Sequence, residues 1–305
     1  MKTKNKFRLM SLLMVLLLVA LTATPTRSMA ASQLPVNLGT TSTFAVIAGS
    51  TITNTGATII NGGVGADIGL YPGTEFTGKE TVTLDGGAIY IADTVALQAK
   101  NDLVIAYNDA ESRSPVTRIP SELGGSTLTP GTYDSADGTF QITGTLTLDA
   151  QGDPEGVFVF KTASTLITAA GSNIVLTNSA RFCRTFWKVG SSATLGINSH
   201  FVGHILAMVS ITATTGATVQ GQLLAQTGAV TLDSNTITNG ICDVIPTPTP
   251  TPTITPTPTI TPTPIPVENV SEDDLPKTGS FPTEILFGLG ALLTGAGLYI
   301  NKKKK

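Results

Sequence analysis

Four stretches of the chain resemble one another: Ala163-Ser-Thr-Leu-Ile-Thr, Gly190-Ser-Ser-Ala-Thr-Leu, Ser210-Ile-Thr-Ala-Thr-Thr and Gly228-Ala-Val-Thr-Leu-Asp. They recur 18 to 27 residues apart. None is long enough to bury an apolar face alone, so a period near 20 residues points to stacked coils sharing one core, a solenoid. Each coil then carries about three short strands, with inward side chains stacked and Gly, Asn or Ser at the corners. Phe44-Ala45-Val46-Ile47, Thr145-Leu146-Thr147-Leu148, Val157-Phe158-Val159-Phe160, Ile174-Val175-Leu176 and Val230-Thr231-Leu232 read as such strands. The competing architecture, an antiparallel β-sandwich, asks for longer strands and clearer hairpin turns. One segment breaks the pattern. From Ala88 to about Glu111, Ile91, Val95, Leu97, Leu103, Ala106 and Tyr107 fall mostly at helical spacing without Gly or Pro, which predicts one long amphipathic helix ended by Pro115 and Pro120.

Both ends of the chain lie outside this region. Residues 1–30 combine a basic start, the apolar run Leu9 to Leu21 and small residues near Ser28-Met29-Ala30, the layout of a secretory signal peptide. Residues 246–267 alternate Pro with Thr and can build neither core nor ladder, so they read as an extended stalk. Residues 268–305 begin with an acidic spacer. Leu275, Pro276, Lys277, Thr278 and Gly279 follow, then an apolar segment at about 285–300 and the basic tail Lys302 to Lys305. That order resembles the Gram-positive cell-wall sorting signal, which sortase cuts between Thr and Gly. The resemblance implies covalent attachment to peptidoglycan, secretion, and only transient contact with the membrane. A plain single-pass anchor with its basic end inside is the alternative.

The domain that does the work therefore lies in residues 31–245. With 41% hydrophobic and 13% charged residues, the composition is that of a chain with a core. Between Ala31 and Thr278 there are 9 basic and 20 acidic residues, a net charge of −11 that leaves no basic patch to neutralise nucleic-acid phosphates. Cys183 and Cys242 are the only cysteines. Export permits a disulfide between them, stapling the end of the domain to a strand near its middle, and two buried thiols are the alternative.

Residues 31–245 hold 34 threonines against 24 charged residues. If Leu166, Ala193, Ile211 and Val230 point inward, alternation sends Ile167, Thr194, Thr212 and Thr231 outward, followed by Ala169, Gly196, Thr214 and Asp233. Gly171, Asn198, Gly216 and Asn235 would form a further outward rank. Thr51, Thr53 and Thr55 share one side of their own strand. Strands about 4.8 Å apart make these residues a regular grid of methyls and hydroxyls, a surface matched to ordered water rather than to a compact ligand. The same threonines also serve as ordinary strand residues in cross-strand pairs.

Catalytic chemistry has no visible carriers. His200 and His204 sit four apart in a strand, where they fall roughly 13 Å from each other, so no metal site is expected. Asp149, Asp153 and Glu155 surround Pro154, Gly152 and Gly156, a turn rather than a calcium loop. There is no nucleophile elbow or phosphate-cradling loop, and the strands offer few grouped carboxylates for glycoside cleavage. Trp187 alternates with Phe186, so one of the two is expected in the core. No cofactor is expected.

A family resemblance spans nearly all of residues 36–240. Leu38 to Gly56, Asn61-Gly-Gly-Val-Gly, Leu128-Thr-Pro-Gly-Thr-Tyr, Gly152-Asp-Pro-Glu-Gly-Val-Phe-Val-Phe, Phe186 to Gly196, Phe201-Val-Gly-His-Ile-Leu-Ala and Ser210 to Gly221 together resemble the microbial ice-binding proteins. The resemblance implies a mainly β fold: a right-handed, discontinuous, three-faced β-solenoid with one long α-helix packed alongside. It also implies adsorption to ice or ordered water through a flat face. On this reading Thr51, Thr53, Thr55, Thr194, Asn198, Thr212, Thr214 and Thr231 are the candidate contacts, although Ile167 and Asp233 interrupt the ranks. The alternative function is an adhesin that uses the same scaffold to bind glycans or another cell surface.

Overall fold

The computed structural model describes residues 33–240. Every paired strand runs parallel to its neighbour. Parallel neighbours without intervening helices require the chain to return to the same face once per coil, which is the solenoid that the repeats predict.

Three faces result. The first is a separate sheet of seven short strands, ordered Phe140–Ile142, Leu166–Thr168, Ala193–Leu195, Ile211–Ala213, Val230–Asp233, Thr51–Thr55 and Glu75–Thr77. The second and third faces are joined, because the strands His200–Ala207 and Thr218–Ala225 run across both. They turn the shared corner at Gly203 (φ 109°) and Gly221 (φ 144°), which face each other in register. A Cβ on Gly221 would lie 2.0 Å from the Gly203 carbonyl oxygen, so only glycine fits the bend.

The order in space differs from the order in sequence. Coils follow one another from Phe140–Ile142 to Val230–Asp233, and then the N-terminal strand Thr51–Thr55 takes the next place, with Glu75–Thr77 beyond it. On the third face Phe44–Ala48 likewise pairs with Thr218–Ala225. The solenoid is discontinuous in this sense: its first coils close the end of its last. A buried polar network stitches the junction. Asn235 donates its backbone N–H to Thr58 Oγ1 (3.1 Å), Thr58 donates to Asn54 Oδ1 (2.6 Å), and Asn54 Nδ2 donates to Thr81 Oγ1 (2.8 Å).

The interior holds the inward residue of each alternating pair, including Leu166, Ala193, Ile211 and Val230 as the sequence predicts. Trp187 stacks on Phe160 at 3.9 Å between centroids and donates Nε1–H to the Val202 carbonyl at 3.0 Å. Phe186 is buried as well, contrary to the expectation that only one of the pair would be. The third face is covered on both sides, so outward Phe186 is sealed by a second apolar layer that includes Val159, Leu206, Leu224, Leu103 and Tyr107.

The helix that supplies this layer, Thr94–Ser112, starts later than the spacing predicts. Ile89–Ile91 is instead a strand, with Ile68↔Ile89 and Leu70↔Ile91 in register, and Asp93 Oδ1 accepts the Ala96 N–H at 2.8 Å as the helix cap. Val95 is exposed, while Ala96, Ala99, Leu103, Ala106 and Ala110 are buried, because the small alanines allow close approach to the sheet. Lys100 Nζ donates to the carbonyls of Ala225 and Gln226, and burial pulls this amine down to about 8. Lys188 pairs with Glu111 at 2.7 Å beneath the helix end and lies 5.0 Å from the Tyr107 ring centroid.

Candidate functional site

Across the first face the register is one to one from strand to strand. The outward residues at the centre of those strands are Gln141, Ile167, Thr194, Thr212, Thr231, Thr53 and Thr77. Five threonines thus stand in one unbroken rank, roughly 19 Å long at the usual strand spacing. Ile167 and Gln141 end the rank on one side. Thr77 completes it on the other, a residue not foreseen from sequence: Glu75-Phe76-Thr77 shows only three residues of alternation, and its neighbour is fixed by the coil order.

Two flanking ranks extend the face. On one side stand Thr139, Thr165, Ser192, Ser210, Ala229, Thr51 and Glu75, linked by contacts such as Ser210 N to Ser192 Oγ at 3.3 Å and Ala229 N to Ser210 Oγ at 3.3 Å. On the other stand Thr143, Ala169, Gly196, Thr214, Asp233 and Thr55, where Thr55 and Asp233 pair directly. Thr214 Oγ1 donates to the Leu195 carbonyl at 2.6 Å, and the Thr215 hydroxyl donates to Asp233. The three ranks contain two carboxylates, Glu75 and Asp233, and no basic side chain. Apart from these two carboxylates, Gln141 and Ile167, the ranks offer small, uncharged groups at a regular spacing.

The seven candidate threonines therefore share one face: Thr53, Thr194, Thr212 and Thr231 in the central rank, and Thr51, Thr55 and Thr214 beside it. Asn198 stands apart, exposed at the corner with φ 52°. Gly171, Gly216, Ser234 and Gly56 occupy the same left-handed corner in neighbouring coils, with φ between 53° and 71°. Asn235, expected in that outward rank, is buried instead. The stretch from Val230 to Thr236 is one residue shorter than that from Ile211 to Thr218, which puts Ser234 at the corner and turns Asn235 inward. There its Nδ2 donates to the carbonyls of Thr214 (2.9 Å) and Ala217 (3.0 Å), and its Oδ1 accepts the Asp233 N–H (2.7 Å).

The second face carries a less regular row: Thr145, Asn173, His200, Thr218, Thr236, Ile59 and Thr83. His200 is exposed there, its Nδ1 2.7 Å from Thr218 Oγ1. The bend at Gly203 puts His204 on the third face, buried beside Phe182 and Phe186, where loss of solvent lowers the imidazole to about 4. The two histidines thus belong to different faces. Asp149, Asp153 and Glu155 form turn contacts: Asp149 accepts from Gln151 N (2.7 Å) and Asn178 Nδ2 (2.9 Å), Asp153 accepts from Glu155 N (2.9 Å), and Glu155 pairs with Arg184. Hydrogen bonds from Asn178 and Gln151 hold the Asp149 carboxyl below its ordinary value. Cys183 is disulfide-bonded, whereas Cys242 lies outside the described residues. The signal segment, the stalk and residues 275–279 of the sorting motif lie outside them too.

Known proteins share this fold. A family model described as ice-binding-like matches residues 46–238. An ice-binding protein of Nostoc sp. (strain HG1) is 45% identical over 227 residues, covering 74% of this chain and 81% of that protein. Ice-binding protein 1 of Shewanella frigidimarina is 35% identical, over 68% of this chain and 26% of its own length. Among solved structures, an ice-binding protein from an Antarctic biological consortium superposes with a TM-score of 0.65 at 43% identity, covering 68% of this chain and 93% of that one. The ice-binding protein of the ascomycete Antarctomyces psychrotrophicus gives 0.64 at 40% identity, with 68% and 100% covered. With a matched model over most of its length and a relative this similar, the chain belongs to the ice-binding-like family.

Proposed function

We propose that the protein is a non-catalytic ice-binding protein that adsorbs to ice through its first face. The observation that carries this reading is the unbroken rank Thr194, Thr212, Thr231, Thr53 and Thr77, flanked by further small hydroxyl residues. Adsorption follows from the chemistry of the grid. Threonine methyls sit where water must form a cage around them, hydroxyls anchor that cage, and parallel strands fix the spacing so the water layer is ordered before it meets the crystal. Side chains that are stiff at χ1 lose little freedom on binding. The relatives, named as ice-binding proteins, support the same reading.

Single ice crystals grown in supercooled solutions of the protein test it. Faceted crystals and a freezing-point gap are expected, and both should vanish in Thr212→Tyr and in Thr194→Tyr while the fold is kept. Rounded, freely growing crystals with the unmodified protein would reject ice binding, and saturable binding to a glycan or cell surface would then favour the adhesin.

The reading extends to where the domain is displayed. Residues 1–30 direct export, Leu275 to Gly279 are cut by sortase, and Thr278 is joined to peptidoglycan, with the Pro/Thr stalk between wall and solenoid; the order of these segments supports this. In a Gram-positive host the protein should remain with the wall fraction, and Thr278→Ala should release it from covalent attachment. Equal extraction of both by detergent would reject wall anchoring.

A further inference from the structure

The hydroxyls of the first face differ in what they already hold. Among the described residues, the Oγ1 atoms of Thr194, Thr212, Thr231 and Thr53 have no hydrogen-bond partner in the protein. Each keeps a proton to donate and its lone pairs to accept, all available to water. Elsewhere on the face the proton is already donated within the protein: from Thr214 to the Leu195 carbonyl (2.6 Å), from Thr143 to Glu122 Oε2 (3.0 Å) and from Thr165 to Thr139 Oγ1 (3.4 Å). Thr77 belongs with these. Although it stands in the central rank, its Oγ1 donates to Glu75 Oε1 at 3.2 Å.

The two carboxylates of the face are placed differently. Asp233 turns to the corner, where Thr215 and Ser234 donate to its oxygens, and neither of those hydroxyls belongs to a rank. Glu75 is exposed on the outermost strand of the sheet, beside Thr51, and reaches along that strand to Thr77. A charged oxygen holds its water more tightly than a neutral group does, and losing that water against a crystal is correspondingly unfavourable. We propose that Glu75 sets the length of the ice-contacting rank: by taking the Thr77 hydroxyl it ends the rank at Thr53 and holds the face below the activity of five free threonines. The proposal rests on the reading of the first face as the ice-contacting surface. The same charge on an edge strand also discourages edge-to-edge pairing of copies, so the test includes the size of the protein in solution.

The full chain carrying Glu75→Gln, and separately Glu75→Thr, tests this. The freezing-point gap is compared with that of the unmodified protein at equal concentration, and Glu80→Gln, in the short turn Lys79–Thr81 beyond the face, controls for net charge. Both Glu75 variants should widen the gap by at least ~1.5-fold while eluting at the size of the unmodified protein, with Glu80→Gln unchanged. Adding Thr77→Val to Glu75→Gln should cancel the gain, because the released hydroxyl is then gone. A gap no wider in either Glu75 variant would overturn the proposal. So would equal widening in Glu80→Gln, a gain accompanied by association of copies, or a gain that survives Thr77→Val in full. Absence of any gap in the unmodified protein is a separate outcome, which removes the ice-binding reading and this proposal with it.

Discussion

Replacing Asn235 by alanine should destabilise the protein by about 3 kcal/mol, although its side chain is buried at the corner and stands in none of the outward ranks. Asn235 is 1% exposed, and its side chain makes three hydrogen bonds: Nδ2 to the carbonyls of Thr214 and Ala217, and Oδ1 from the Asp233 N–H. Each is worth roughly 1 kcal/mol net, and each leaves behind a backbone group that water cannot easily reach. The backbone bond from Asn235 N to Thr58 Oγ1 survives the substitution, so the cost falls on the corner and only indirectly on the Thr58–Asn54 network beyond it. Equilibrium urea unfolding measures the loss, and the slope should stay unchanged if the coils still unfold together. Exchange at the Asp233 amide should accelerate by more than that at Leu195, two coils away. A loss under ~1 kcal/mol would refute the reasoning, because it would mean that the three groups find other partners or need none.

Acid should weaken the fold through His204. Its folded imidazole is lowered to about 4 from an ordinary 6.5, so the unfolded chain takes up the proton first. The stabilisation is whole above pH 6.5 and lost as pH falls through 4, a difference of about 3 kcal/mol that should be absent from His204→Gln when unfolding free energies at pH 7 and pH 4 are compared. Asn198→Ala should cost about 1 kcal/mol, because alanine resists the left-handed corner, whereas Asn198→Gly should be near neutral in stability; thermal melts of the two separate corner strain from side-chain contact. Trp187→Ala should cost about 3–5 kcal/mol by opening a cavity against Phe160, measured by the same urea titration.

Much of the coil geometry was legible in the sequence because period-2 alternation is local. Leu166, Ala193, Ile211 and Val230 point inward for reasons visible in six-residue windows, and Thr194, Thr212 and Thr231 follow as their outward neighbours. The rank's continuation was not legible. Nothing within Thr51–Thr55 says that its neighbour is Val230–Asp233 rather than the next coil in sequence, and without that pairing Thr77 has no place. The inward turn of Asn235 is not legible, because a one-residue shortening at a corner does not disturb the alternation of the flanking strands. The strand Ile89–Ile91 is hidden from the sequence because Ile91 and Val95, four apart, mimic one helical turn across the boundary that Asp93 marks. Alternation puts only one of Phe186 and Trp187 in the core, because burying both needs a cover on the outer side of the sheet, the helix, that lies about 80 residues away in sequence.

The most direct test of an ice-binding first face built across the junction is the freezing-point gap of Thr53→Tyr beside that of Thr236→Tyr. Thr53 comes from the N-terminal strand but stands in the central rank between Thr231 and Thr77, whereas Thr236 lies on the second face. Loss of the gap in Thr53→Tyr and its retention in Thr236→Tyr is the expected result. The reverse pattern, or a full gap in Thr53→Tyr with the fold intact, would contradict it.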